Sequence, residues 1–217
     1  MALALRPGLS FCEIGDRLVF LDLRADRYFG LAPDAEHAFR ELMAAGAGRA
    51  DRSSAAMMGD ALFVSAKNFC VEPCPLPPRA TGSLLDAPFL PALPHRLSAI
   101  AALARMHVRL RLRGLGETVE AVRSRQPEGA ETMTGADKIR TIAAAFEASA
   151  RVIRSHDRCL VRSLATAQAL FSNGIVASLV IGVRLRPFAA HSWVQHDQTL
   201  VNDRPDNVRS YTPILLL

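Results

Sequence analysis

The chain has 217 residues, half of them apolar and 22% charged, with a formal net charge of +5. This predicts one or two globular domains and excludes wholesale disorder. The closest approach to a membrane span, Ile175 to Val183, is interrupted by Ser178 and Gly182 and falls far short of the ~20 apolar residues required. The start, with Arg6 and no long apolar run after it, does not read as a secretory signal, so a soluble cytoplasmic protein is expected.

Strand signals come first. Leu18 to Leu23 alternate, Arg24-Ala25-Asp26 is a polar turn, and Tyr28 to Leu31 read as the returning strand of a hairpin. Pro33-Asp34 opens a helix with Ala35, Ala38, Phe39, Leu42 and Met43 on one face, ended by Gly46 and Gly48. A second helix is expected around Ala55 to Ala61, and Leu62-Phe63-Val64 fits either helix or strand. A hairpin with small helices suggests a winged-helix-like module over residues 1–72. Seven of the thirteen prolines fall between Pro73 and Pro94. Proline fixes φ and lacks the N–H, so Glu72 to His95 reads as a linker, residues 73–95 separating the two domains.

The remaining segment, 96–217, begins helical: Leu97 to Val108 running into Arg109–Arg113, then Glu117 to Arg125, then a long amphipathic helix from Ala136 to Arg154. After the break at Ser155-His156-Asp157, Cys159 opens another helix that Asn173-Gly174 stops. The period then changes to two. Strands are expected over Ala177–Arg184, Ala190–Gln195 and Leu200–Asp203, giving an α+β domain of helices followed by an antiparallel sheet.

Seven arginines lie between Arg96 and Arg125 against Glu117 and Glu120. They form either a surface for an acidic partner or simply the solvated face of helices. Cys70 and Cys74 lie close, but no second Cys/His pair stands at zinc-finger spacing, so no metal site is expected.

Cys159 has different surroundings. A cysteine in the first turn of a helix lies beside unpaired backbone N–H groups and the positive end of the helix dipole, which lowers its pKa. Ser155 or Asp157 could cap that helix. The same position also suits a small buried core residue. If His196-Asp197-Gln198 is a three-residue turn, residues whose numbers sum to 394 lie opposite each other. His191 then faces Asp203, as a histidine-orienting carboxylate must. A one-residue slip would break that pairing. Read singly, His191 also fits a satisfied core histidine and Asp203 a turn residue.

Cys159-Leu160-x-Arg162-Ser163-Leu164-Ala165, Gly182-Val183, Phe188-x-Ala190-His191-x-Trp193-Val194 and Asn202-Asp203 together resemble the lasso-peptide maturation proteases, transglutaminase-like members of the papain-like superfamily. Phe20-Leu21-Asp22-Leu23 and Asp26-Arg27-Tyr28-Phe29-Gly30-Leu31 are similar to the precursor-recognition domain of the fused form, a winged-helix fold. Where that family often carries an acidic residue, this chain has Gln195. The resemblance implies a cysteine peptidase with Cys159, His191 and Asp203 as its triad. It would remove the leader from a ribosomally made precursor before an asparagine-synthetase-like cyclase closes the ring. It implies no cofactor for hydrolysis, and leaves ATP dependence open. Arg27, Tyr28 and Phe29, on the expected edge strand, are the expected leader-binding residues, since an exposed edge accepts a peptide as an added strand; Tyr28 and Phe29 equally suit the small domain's core. The second oxyanion donor is left among Trp193, Gln195 and Gln168.

Two other functions use the same features. One is a transglutaminase-like amidase or acyltransferase on a small substrate, for which a peptide-docking module has no purpose. The other is a non-catalytic winged-helix protein binding nucleic acid. Residues Gly48 to Lys67 carry only Arg49, Arg52 and Lys67 as cations, a poor match to a phosphate backbone.

Overall fold

The computed structural model describes residues 2–45, 62–87, 89–127, 136–150 and 158–217. It divides into two compact units, Met1–Pro75 and Leu76–Leu217.

In the first unit, β1 (Ala2–Leu5) pairs antiparallel with β5 (Phe63–Ala66), while β2 (Leu9–Ile14), β3 (Arg17–Asp22) and β4 (Arg27–Phe29) form a three-stranded antiparallel sheet with β4 at its edge. The hairpin turn is closed by Asp22, whose Oδ1 accepts the backbone N–H groups of Arg24 and Ala25, and whose Oδ2 pairs with Arg6. Asp26 completes the turn at φ 50°. Helix α1 (Pro33–Ala45) starts on the proline expected at a first helical position. Phe39 on this helix meets Phe11 and Phe20 edge-on, both at 5.2 Å between centroids, and these three rings are the centre of the core.

Glu36 departs from the expected apolar face. It is buried, and its carboxylate accepts from the Leu18 N–H, Arg17 and Arg40. Those donors offset the desolvation that otherwise excludes an interior carboxylate. The expected helix at Ala55–Ala61 and the stop at Gly46 and Gly48 lie outside the described residues. Of Leu62-Phe63-Val64, Phe63 and Val64 open β5 and Leu62 is a turn residue before it.

The second unit mixes helices and sheet. The stretch read as a linker holds the short strand β6 (Gly82–Ser83) and a 3-10 turn, Leu84–Asp86. Helix α2 (Leu93–Arg123) bends at Gly114, whose φ of 72° and ψ of 179° suit only a residue without Cβ. The arginines of α2 lie on its solvated side: Arg105, Arg111 and Arg113 are exposed, and Arg113 and Arg123 pair with Glu117 and Glu120. Helix α3 (Ala136–Ala150) packs against α2, and α4 (Arg158–Phe171) packs on both. No described helix is long and apolar enough to cross a membrane.

From edge to edge the sheet runs Thr212–Leu216, Ser178–Leu185, Phe188–His196, Thr199–Leu200 and β6. Strands β7 (Ser178–Leu185) and β8 (Phe188–His196) form its long antiparallel hairpin, β9 (Thr199–Leu200) follows, and β10 (Thr212–Leu216) returns along the far side of β7 beyond the single-turn helix α5 (Pro205–Val208).

The β8–β9 register corrects the sequence reading. His196 pairs with Thr199 and Gln195 with Leu200, so numbers sum to 395 rather than 394. The turn has two residues, Asp197-Gln198, because Asp197 adopts a φ of 50° and closes it tightly. Nor does the strand extend to Asp203: it ends at Leu200, and Val201 to Asp203 are bends.

Candidate functional site

The site assembles where the start of α4 meets β8 and the bends after β9. Cys159 is the second residue of α4 and is half-buried. Its expected caps, Ser155 and Asp157, lie outside the described residues. His191 stands on β8, directly paired with Gly182 of β7. Gly182 is required by the packing around it: a Cβ there would lie 2.9 Å from two Trp193 ring carbons and 3.0 Å from Tyr211 Cβ. Those two aromatics flank the imidazole, with ring centroids 6.2 Å (Trp193) and 5.2 Å (Tyr211) away.

Asp203 reaches His191 by bending around the strand end rather than by strand register. Its Oδ2 lies 2.5 Å from His191 Nε2. Its Oδ1 accepts from the Arg204 N–H at 2.8 Å and from Asn207 Nδ2 at 2.9 Å. With Nε2 engaged, Nδ1 is the nitrogen left for the hydrogen bond between His191 and Cys159.

The electrostatics follow from these contacts. Burial pushes the Cys159 thiol up, but the hydrogen bond and charge of His191, with the hydroxyl and backbone of Ser192, outweigh it and the pKa falls. The Ser192 hydroxyl has no other hydrogen-bond partner among the described residues. Burial works against a charged His191, yet Asp203 and Cys159 together push its pKa up to about 9. Burial likewise opposes the Asp203 carboxylate, and the His191, Asn207 and Arg204 donors still hold it below its ordinary value. Each group favours its charged form, so the arrangement supports a thiolate beside an imidazolium that a buried carboxylate orients. A thiolate is a nucleophile at neutral pH, and the imidazolium is an acid placed to protonate a leaving group.

Sequence reasoning missed the shell behind these groups. Asn202 accepts the Val194 N–H at 2.8 Å and donates to Ser163 Oγ at 2.9 Å; Ser163 in turn donates to the Ser192 carbonyl. Arg162 donates to the Asn202 carbonyl at 2.7 Å and to Glu147 at 2.9 Å. Ser83 donates to the Asp203 carbonyl. A signal for part of this was present: Cys159, Arg162, Ser163 and Thr166 recur at i, i+3, i+4 and i+7, a polar stripe on one face of a largely apolar helix.

The side chains considered as oxyanion donors are engaged elsewhere or face away. The Trp193 indole N–H donates to Gln195 Oε1, and Gln195 Nε2 donates to the Pro78 and Asp197 carbonyls. Gln195 is thus a buried tie within the second unit. Gln168 stands nine residues after Cys159, half a turn around α4 from it. Arg27, Tyr28 and Phe29 lie on β4 of the first unit: Phe29 stacks on Phe20 at 5.2 Å, and the Arg27 guanidinium covers Phe29. No group of three or more His, Cys, Asp or Glu side chains among the described residues could hold a metal.

Residues 102–216 match the family described as the transglutaminase-like superfamily. A 48-residue stretch, 22% of this chain, is 48% identical to the microcin J25-processing protein McjB of Escherichia coli. It covers 23% of that relative, so the chain aligns with about a quarter of its length. No solved structure matches the chain significantly.

Proposed function

We propose that this chain, which belongs to the transglutaminase-like superfamily, is a cysteine peptidase that removes the leader from a ribosomally made lasso-peptide precursor. The observation that carries the reading is the line Cys159–His191–Asp203, with one imidazole nitrogen held by a buried carboxylate and the other turned to a thiol of lowered pKa. The likeness to a microcin-processing protein supports the substrate class.

In this reading the Cys159 thiolate adds to the carbonyl carbon of the last leader residue. His191 gives its Nδ1 proton to the amide nitrogen, the C–N bond breaks, and the core departs with a free amine. Neutral His191 then takes a proton from water, the hydroxide adds to the thioester, and the C–S bond breaks to return the thiolate and release the leader acid. Asp203 keeps the imidazole in the tautomer these transfers need. The steps use no cofactor and occur in the cytoplasm, ahead of ring closure by an asparagine-synthetase-like partner. The first unit acts as a winged-helix-like recognition domain. Its edge strand β4 takes the leader as an added strand, with Arg27, Tyr28 and Phe29 contacting leader side chains.

The test is incubation with a full-length lasso-peptide precursor, leader included, followed by mass spectrometry. The intact protein should release leader and core at one bond. Cys159→Ala should abolish release while keeping leader binding, and Arg27→Glu with Tyr28→Ala should raise KM with little change in kcat. Cleavage at the same bond by Cys159→Ala would end the peptidase reading.

A further inference from the structure

We propose that Arg184 and Tyr211 form a carboxylate subsite beside His191, which holds an Asp or Glu side chain of the segment leaving as the new amine. The inference rests on the peptidase reading and extends it to the residues beyond the cut.

Arg184 is the penultimate residue of β7. His191 pairs with Gly182, so these two share a face of the sheet, and Arg184, two residues on, shares it too. Tyr211 stands just before β10, whose Thr212 pairs with Val183, and its ring fills the space between. The Arg184 guanidinium lies 5.3 Å from the Tyr211 ring centroid, and that ring lies 5.2 Å from the imidazole. Imidazole, phenol and guanidinium thus stand in series, each beside the next.

Arg184 is unlike the other arginines of this unit that flank the site. Arg162 pairs with Glu147 and Arg204 with Asp86. Arg184 has no carboxylate partner among the described residues; its Nε, like that of Arg162, is buried without an acceptor. A guanidinium presents five donors in a fixed planar fork that matches a carboxylate, and stacking on an aromatic face holds that plane still. The buried donor lacks the acceptor that such groups ordinarily have. An acidic side chain of the substrate would pair with the Nη groups of Arg184, which no described carboxylate engages and which are not among the buried unpartnered atoms.

The direction follows from the chemistry. His191 protonates the departing nitrogen, so the departing segment passes on its side of the site, where Tyr211 and Arg184 lie. The two distances, 5.2 and 5.3 Å, together reach at most about 10 Å, no more than about three extended residues. The acid recognised therefore lies within the first few residues after the cut.

The test uses full-length protein and synthetic precursors in which Asp, Asn, Glu or Gln occupies each of the first residues after the cut, all with amidated C-termini so that only side chains supply carboxylate. At one position the acid should lower KM relative to its amide. Arg184→Gln should remove that advantage, raising KM for the acidic substrate about tenfold or more, the scale of a charged hydrogen bond, with kcat nearly unchanged. Arg184→Lys, which keeps the charge and loses the fork, should recover only part. Equal losses for acid and amide substrates, or an unchanged KM, would overturn the subsite. Binding of the same peptides to Cys159→Ala, with and without Arg184→Gln, separates the two ideas. A failed peptidase reading leaves wild type unable to cleave while Arg184-dependent binding persists. A failed subsite leaves cleavage and binding indifferent to Arg184, and absence of both cleavage and binding overturns both.

Discussion

Replacing Asp203 by Asn tests the charge arrangement with little disturbance of shape. Asp203 Oδ1 already accepts from the Arg204 N–H and Asn207 Nδ2. In the amide, the oxygen must stay on those two donors, so the NH2 group turns to His191. It then donates to Nε2, which forces the remaining ring proton onto Nδ1, the nitrogen facing Cys159. A neutral imidazole with that tautomer cannot take the thiol proton. The rise of His191 from 6.5 to about 9 corresponds to about 3 kcal/mol favouring the charged ring, and the Asp203 hydrogen bond leads the contributions that produce it. Without the carboxylate, the imidazolium loses its main support and the thiolate its counter-charge. The expected loss in kcat/KM is about 100- to 10,000-fold, the range for a triad whose orienting acid becomes an amide. The assay is initial rate against pH, from mildly acidic to strongly basic. In wild type the active ion pair exists above the lowered thiol pKa and is lost as pH rises through about 9. In Asp203→Asn the basic limb should move down, and thermal stability at neutral pH should fall, since the raised His191 pKa and the lowered Asp203 pKa both stabilise the folded chain there. An unchanged basic limb with unchanged kcat/KM would refute the assignment of His191 and Asp203 as one unit.

Three further outcomes are expected. Gly182→Ala drives a methyl group into the Trp193 ring and Tyr211; it should cost about 1–3 kcal/mol, visible as a lower Tm, with a further loss of kcat as the imidazole shifts. Asn202→Ala strands the buried Val194 N–H and removes one donor from the Ser163 hydroxyl, which keeps its bond to the Ser192 carbonyl; denaturant unfolding should register about 1–3 kcal/mol for the unmet N–H. Burial pushes Cys12 up to about 12 and Cys74 up to about 11, whereas Cys159 is lowered. Iodoacetamide at neutral pH should therefore label Cys159 well before those two, as peptide mapping would show, and earlier labelling of Cys12 would contradict the thiolate argument.

Periodicity exposed much of this molecule because it reports burial directly. Helix α4 beginning beside Cys159, strand β8 carrying His191 and the hairpin β3–β4 all follow from alternating or 3.6-residue patterns. What escaped were features set by single backbone conformations or by partners distant in sequence. The turn at Asp197 is shorter by one residue than expected, which changes the register, and Asp203 still reaches His191 because bends rather than a ladder carry it there. Glu36 is buried only because Leu18, Arg17 and Arg40 converge on it, which no local pattern announces. Strand β10 is an apolar run at the end of the chain whose partner, β7, lies about thirty residues earlier. Asn202 and Ser163 look like surface polar residues until the helix and the strand meet.

Strand β6 carries a practical consequence for dissecting the chain. It lies within a proline-rich stretch that invites a cut, yet Gly82 and Ser83 pair in parallel with β9, the Thr81 N–H bonds the Gln198 carbonyl, and Ser83 holds the backbone of Asp203 itself. A C-terminal fragment begun at Arg96 would lose the outermost rung beside the orienting acid, whereas one begun at Leu76 would keep it. Where the scissors fall within twenty residues decides whether the severed half can still hold its proton relay in line.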